Sequence, residues 1–189
     1  MSEDASDLTG KFLISMPDMG DPRFDQSLVL LCEHSANGAM GLIVNKPTDD
    51  VKLGDLYENL SIHISSEDQQ KPVHFGGPVE IGRGFVLHSE DFESGLESHR
   101  VIDGVSLTAT VDVLEEIGQG QGPERRLILL GYAGWGAGQL ESELTQHAWL
   151  VCDARADVIF DAADQEKWLA ALGILGIDPL MLSSEGGSA

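Results

Sequence analysis

The chain has 189 residues, 42% of them hydrophobic, which suits one folded domain and excludes an intrinsically disordered protein. Its 11 basic and 32 acidic residues give a formal net charge of −21, which disfavours direct nucleic-acid binding because phosphate contacts need a basic surface. No apolar run approaches the roughly 20 residues that cross a bilayer, and the acidic start of the chain is unlike a signal peptide, so the sequence predicts a cytoplasmic protein without membrane contact.

Both ends of the chain are predicted to lie outside the folded part. Residues 1–8 are polar and acidic and are expected to form a disordered lead, and residues 183–189 are rich in Gly and Ser and are expected to form a flexible tail. No linker or repeat interrupts the sequence between them. Residues 9–182 are therefore predicted to form a single domain.

The first elements in chain order are a strand and a β-hairpin. Lys11–Ser15 reads as the strand, and a breaker-rich loop follows it. Ser27–His34 and Ala39–Asn45 are apolar runs on either side of Asn37-Gly38, the turn pair that best predicts a hairpin because both positions need positive φ. Pro47 is expected to end the second strand, since proline cannot donate to the ladder.

Helices and shorter strands are predicted in the remainder of the chain. They are a helix capped by Thr48 or Asp49 and ending near Leu60, strands Val73–Phe75 and Arg83–Leu87, a helix opened by Thr110 and closed by Gly118, a buried strand Arg126–Tyr132, a helix Gly138–Gln146, a strand Ala148–Cys152, and a helix over about 162–172 after Asp161 as N-cap. Residues 89–109 are expected to be an acidic loop. Because strands and helices do not alternate regularly, the pattern predicts an α+β fold rather than a doubly wound sheet.

Three side chains are weak candidates for catalysis. Cys32 and His34 are two residues apart on a predicted strand, so both side chains are expected on one face, with Cβ atoms roughly 6–7 Å apart. A thiolate beside an imidazole is an activated nucleophile. The favoured alternative is a buried cysteine and an unpaired histidine at the strand end, because that spacing seldom gives a direct hydrogen bond. His74 is the third candidate, if the fold brings it near Cys32.

No metal site and no cofactor are predicted. The two cysteines, Cys32 and Cys152, lie far apart, and no Cys-x-x-Cys pair occurs. The six histidines form no zinc-binding helical pattern.

Two glycine-rich segments are the predicted location of a binding site. Phe75–Pro78 predicts a tight turn, and Gly131–Gly138 predicts a loop between a strand and a helix, where amide groups could meet an anion. Glu141 would place a carboxylate in that helix's first turn, which argues against a nucleotide phosphate. Structural turns are the favoured interpretation and a ligand loop is the alternative, with Trp135 as a hydrophobic lid or interface residue. The candidate ligand-binding residues are Gly76, Gly77, Pro78, Gly134, Trp135 and Gly136.

Several longer motifs identify a family. They are Phe12–Pro17, Asp21–Phe24, Ser27–His34, Gly38–Pro47, Phe75–Val79, Gly84–His88 and Gly131–Glu141. With these motifs the sequence resembles the YqgE/AlgH family of bacterial proteins over roughly residues 8–182. The resemblance implies an α+β fold with a mixed, strongly curved sheet, close to a partial barrel, and flanking helices. It also brings the family's label of transcriptional regulator, but no catalytic residue.

The leading functional hypothesis is a non-enzymatic binding or regulatory protein. Its pocket would form where the glycine segments meet Cys32 and His34, and its partner would be a small ligand or another protein. Regulation is expected to be indirect, because the acidic chain has no helix-turn-helix with a basic recognition helix. The alternative is a thiol-dependent transferase or hydrolase that uses Cys32, assisted by His34 or His74. Direct DNA binding is the third hypothesis.

Overall fold

The computed structural model describes residues 7–17, 24–91, 98–109 and 111–182. The greater part of the predicted N-terminal lead, the whole predicted C-terminal tail and the predicted helix start at Thr110 lie outside these ranges.

Within these ranges, ten strands form one mixed, curled sheet, which confirms the predicted α+β fold and partial barrel. The strands are β1 (Lys11–Ser15), β2 (Leu28–Ser35), β3 (Gly38–Ile43), β4 (Pro47–Lys52), β5 (Pro72–Phe75), β6 (Val79–His88), β7 (His99–Ile102), β8 (Val105–Thr108), β9 (Arg126–Gly136) and β10 (Trp149–Asp153). Eight of them run in the order β10-β1-β2-β3-β9-β6-β8-β7. The β4–β5 pair joins the sheet through β5, which lies parallel to β9.

Five α-helices of the described chain cover the sheet. They are α1 (Leu53–Asn59), α2 (Val111–Gly118), α3 (Gln139–Thr145), α4 (Ala156–Phe160) and α5 (Asp164–Ile174), and a 3-10 helix, Pro179–Leu182, follows them. Helices α4 and α5 pack on one face, beside Phe12, Leu30 and Phe85. Helices α1 and α2 share a second cluster with Val86, and α3 shares a third with Leu13. Because neighbouring residues of a strand point to opposite faces, the sheet contributes to all three clusters.

The predicted hairpin of β2 and β3 is confirmed, but its predicted turn is wrong: Ser35 pairs with Gly38, so the turn residues are Ala36 and Asn37, and only Gly38 of the predicted pair has positive φ. The segment after β3 was predicted to be helical. Residues 47–52 form β4, in which Thr48 pairs with Val73 of β5, and α1 begins only at Leu53. Pro47 does not stop the pairing, since proline is tolerated as the first residue of an edge strand. Pairing with a strand distant in sequence therefore outweighs the local helical pattern.

Two further elements were missed. Residues 89–109, predicted as a loop, contain the hairpin of β7 and β8, and its turn is Asp103-Gly104 with φ of +85° at Gly104. Asp-Gly between strand-like runs is itself a hairpin signal. The short helix α4 was also missed, so Asp161 ends α4 instead of capping α5, whose N-cap is Ala163.

Candidate functional site

The second glycine segment is mostly strand rather than loop. Strand β9 continues to Gly136, and only residues 137 and 138 form the turn before α3. Up to Leu130, one edge of β9 pairs with β5, and from Ala133 onwards it pairs with β3. The change of partner occurs around Gly131, whose φ of +78° bends the strand in a way that glycine permits without strain.

The two glycine segments pack directly against each other and do not form the predicted pocket with Cys32 and His34. The N–H of Gly76 donates to the carbonyl of Leu130 at 2.8 Å. A Cβ added at Gly76 would lie 2.3 Å from the carbonyl oxygen of Gly131, and one added at Gly77 would lie 2.0 Å from the carbonyl carbon of Tyr132. Glycine is needed here because one backbone passes directly against the other, and this contact leaves no room for a ligand between them.

An open cleft of about 870 Å³ lies beside the end of the β2–β3 hairpin. The hairpin forms one side, and β6 to β9 form the other. Of the residues singled out from the sequence, three line this cleft: His34, Gly134 and Trp135. The others are not among its lining residues: Cys32, His74, Gly76, Gly77, Pro78 and Gly136. The structure therefore brings together only part of the predicted site.

One wall of the cleft combines aromatic rings with a guanidinium group. Arg83 lies over the ring of Phe85, 5.0 Å from its centroid. The ring of Tyr132 meets that of Phe85 edge to face at 6.0 Å. The Tyr132 hydroxyl donates to Glu80 at 2.9 Å, a hydrogen bond that raises the pKa of the tyrosine. Sequence reasoning missed this wall, because nothing in the sequence pairs Arg83 with Tyr132.

Cys32 and His34 do not form a pair. A β-bulge between Leu31 and Glu33 breaks the alternation on which the prediction of a shared face depended. Cys32 packs in the cluster under α4 and α5 with 3% exposure, and burial raises the pKa of its thiol well above the ordinary value. An activated nucleophile requires the opposite shift.

His34 is held by elements of another face. Its Nδ1 accepts a hydrogen bond from the backbone N–H of Leu8 at 3.0 Å, so the ring proton is on Nε2. Nε2 donates to Glu141 of α3 at 3.2 Å. Glu141 was expected to serve the helix dipole, and here it also fixes the orientation and tautomer of His34.

His74 belongs to a buried ionic cluster away from the cleft. Its Nε2 donates to both carboxylate oxygens of Asp164, at 2.9 and 3.0 Å. The Lys167 ammonium forms an ion pair with the same carboxylate at 2.9 Å, and it also donates a hydrogen bond to the carbonyl of Val44 at 2.8 Å. Burial opposes ionisation of Asp164, but the hydrogen bonds from His74 and Lys167 outweigh it and hold its pKa below the usual value.

Trp135 is neither a lid nor an exposed interface residue in this structure. Its indole packs edge to face on Trp149, with centroids 5.9 Å apart. Both indole N–H groups donate to the same oxygen of Glu143 on α3, each at 2.9 Å. This shared acceptor fixes α3 against β9 and β10. The side chain of Trp135 is buried, with 7% exposure.

Two kinds of feature are absent from the described residues. No three His, Cys, Asp or Glu side chains in the described ranges are grouped so that they could hold a metal ion. None of the helices described here has the length and apolar character required to span a membrane.

Comparison with known proteins gives the family. The AlgH-like family profile (DUF179) matches residues 12–180. The chain belongs to the AlgH-like family. A UPF0301 protein of Ruegeria pomeroyi is 53% identical over 184 residues, which cover 97% of this chain and 100% of the relative. A UPF0301 protein of Paracoccus denitrificans is 49% identical over 189 residues, 99% of this chain and 100% of the relative.

Solved structures support the same assignment. The solution structure of the AlgH protein from Pseudomonas aeruginosa is 38% identical, with a TM-score of 0.80 and coverage of 97% of both chains. A crystal structure of protein DIP2367 from Corynebacterium diphtheriae has a TM-score of 0.71 at 19% identity, covering 97% of this chain and 95% of that one, which is a likeness of fold alone. The predicted family resemblance is confirmed. The AlgH-like family has no established function, so membership assigns the fold of this chain but no biochemical activity.

Proposed function

We propose that this AlgH-like chain is a cytoplasmic, non-enzymatic binding protein whose cleft takes a small anionic ligand with a flat apolar part. Any regulatory role would be indirect, through that ligand or a protein partner, and not through contact with DNA. The observation that carries the proposal is the wall formed by Arg83, Phe85 and Tyr132 in the cleft of about 870 Å³.

The size of the cleft suits a small molecule. Ligand pockets usually measure about 300–1,000 Å³, and this cleft measures about 870 Å³. It combines apolar side chains with a few polar groups, which is the usual composition of such sites. His99 is also a lining residue, whereas the imidazole of His34 is 3% exposed and both of its nitrogens are engaged by Leu8 and Glu141.

One guanidinium group in the cleft wall can bind an anion. Among the residues that line the cleft, Arg83 is the one Lys or Arg and Glu33 is the one Asp or Glu. Arg83 lies 3.9 Å from the carboxylate of Glu80, and half of its side chain is exposed. Its guanidinium can therefore form paired hydrogen bonds with a carboxylate or phosphate. The neighbouring rings of Phe85 and Tyr132 would contact the flat part of the ligand.

The thiol-enzyme alternative loses its structural basis. Cys32 does not line the cleft and its thiol is buried, and the His34 imidazole is bound by Leu8 and Glu141 instead of Cys32. Direct DNA binding remains disfavoured by the net charge of −21, because phosphate neutralisation supplies most of the affinity of DNA-binding proteins.

The experiment is a thermal-shift screen with aromatic carboxylates and aromatic phosphates, followed by calorimetry on the compounds that stabilise the protein. Arg83→Gln is expected to weaken binding roughly tenfold or more, since it removes a charged hydrogen-bonding pair. Arg155→Gln is the matched control, because Arg155 pairs with Asp157 on the surface and lies outside the cleft lining.

Two results would contradict the proposal. One is a screen in which no compound raises the melting temperature, and the other is equal affinity of Arg83→Gln and wild type for every compound that does. A separate gel-shift assay at about 50 mM salt tests the DNA alternative, and a retarded duplex would support DNA binding instead.

A further inference from the structure

A second, smaller groove lies on the face of the sheet opposite the cleft. Along β6, Arg83 and Phe85 point to the cleft, so Gly84 and Val86 face the other side, where α1 and α2 pack. The groove between these helices has a volume of about 110 Å³. Its walls are Leu56 of α1, Leu60 directly after α1, and Val111 and Leu114 of α2.

Two glycines leave the floor of this groove open. A Cβ at Gly84 would meet nothing nearer than Leu130, at 3.9 Å, and a Cβ at Gly82 would meet nothing within 4 Å. Gly76 and Gly77 differ, because there the backbone itself would clash. No neighbouring atom requires glycine at positions 82 and 84. The absence of side chains there leaves space that a side chain of another molecule could occupy.

Exposed apolar side chains extend the groove onto the surface. Leu60, the residue that follows α1, is 39% exposed, and Val111, the first residue of α2, is 43% exposed. Exposed apolar side chains at the rim of an apolar groove are typical of a docking surface.

The rim of the groove along α2 is acidic. Asp112 and Glu115 are exposed beside Val111, and α2 contains no Lys, Arg or His. The carboxylates of α1, on Asp55 and Glu58, line a different pocket. The residues that line the groove include no Lys or Arg. An apolar groove with an acidic rim is complementary to a segment with apolar residues on one face and basic residues on the other.

We propose that this groove docks a basic amphipathic helix from a partner protein. One or two bulky apolar side chains of that helix would fill the space above Gly84, and its Lys or Arg residues would face the carboxylates of α2. A volume of about 110 Å³ fits an anchoring side chain and falls below the roughly 300 Å³ of a small-molecule site. The groove shares Phe85 and Ala109 with the cleft, but the proposal does not require the ligand proposed for the cleft.

The test uses a synthetic 18-residue helical peptide of Leu and Lys, with Leu at i, i+3, i+4 and i+7, and its counterpart in which Glu replaces Lys. The labelled Lys peptide is expected to bind the full chain, as measured by fluorescence anisotropy, and the Glu peptide is not. Gly84→Leu fills the groove without changing the charge and is expected to reduce affinity roughly tenfold or more.

Matched variants separate docking from general attraction between a basic peptide and an acidic protein. Gly173→Leu makes the same change at an exposed glycine of α5, where a Cβ also meets nothing within 4 Å, and it should bind the peptide as wild type does. Val111→Lys adds a positive charge at the exposed rim and should weaken binding even if Gly84→Leu folds poorly. Melting curves of all three variants check folding.

Two outcomes would overturn the proposal. In the first, Gly84→Leu and Val111→Lys bind the Lys peptide as tightly as Gly173→Leu does, so that attraction alone explains the binding. In the second, sedimentation shows a wild-type dimer that Gly84→Leu converts to a monomer, so that a second copy of this chain occupies the groove.

Discussion

The imidazole of His74 on β5 and the carboxylate of Asp164 at the start of α5 are 90 residues apart in sequence and 2.9 Å apart in space. Lys167, one turn further along α5, reaches the same carboxylate and the carbonyl of Val44. The cluster therefore attaches α5 to two neighbouring parts of the sheet. Because Lys167 is almost fully buried, its charge depends on Asp164 for compensation.

Replacement of Asp164 by Asn is expected to lower the free energy of unfolding by about 3 kcal/mol or more at pH 7, because it leaves the Lys167 charge buried without its partner. It should also change the response to acid. The pKa of Asp164 is lowered in the folded state, so its contribution to stability is present above the ordinary value of about 4 and is lost as pH falls through the folded value.

Urea unfolding between pH 7 and pH 3 measures both effects. The difference in stability between wild type and Asp164→Asn should shrink as the pH falls below about 4. Asp157→Asn is the control, since Asp157 pairs with Arg155 at the surface and should cost less than about 1 kcal/mol. A difference that stays constant over this pH range would show that Asp164 does not have the depressed pKa.

Gly77→Ala is expected to destabilise the fold by more than about 3 kcal/mol, because its Cβ would lie 2.0 Å from the backbone of Tyr132 and neither chain can move aside. The same substitution at Gly173, an exposed helical glycine with open space, should stabilise by up to about 1 kcal/mol. Thermal and urea unfolding compare the two. A mild effect of Gly77→Ala would mean that β5 and β9 do not cross as closely as described.

Glu143→Leu is expected to cost about 2 kcal/mol or more, since it leaves the indole N–H groups of Trp135 and Trp149 without their common acceptor. Glu58→Leu on α1 makes the same change at an exposed position and should alter stability by less than about 0.5 kcal/mol. Equal unfolding free energies for the two variants would argue against a structural role for Glu143. Intrinsic tryptophan fluorescence should change only in Glu143→Leu.

Cys32 is expected to resist alkylation in the folded protein. Its thiol is buried and its raised pKa leaves little thiolate near neutral pH. In a Cys152→Ala variant, where Cys32 is the sole thiol, iodoacetamide at pH 8 should react on the order of 100-fold more slowly than with the same chain in urea. Comparable rates in the two states would restore Cys32 as a candidate nucleophile.

Sequence patterns sufficed where the determining interactions are local. Asn37-Gly38 predicted the first hairpin, although its turn forms one residue earlier at Ala36-Asn37, and Asp103-Gly104 carried the same signal for the hairpin that was missed. Residues 47–52 could not be assigned in this way, since their strand forms only when Val73 supplies the neighbouring edge. The cleft wall could not be predicted from the sequence either, because Arg83 and Tyr132 come together only through the irregular pairing of β6 with β9.

The sequence by itself determined the family, the α+β class, the acidic charge and the two glycine segments. The tertiary structure decided what those segments do: Gly76 and Gly77 let one backbone pass against another at Gly131 and Tyr132. It also decided that Cys32 and His34 face different surroundings, because a β-bulge that the local sequence does not predict lies between Leu31 and Glu33. The reason is common to both cases: a glycine or a strand residue acquires its role from the chain that packs against it, and that chain is distant in sequence.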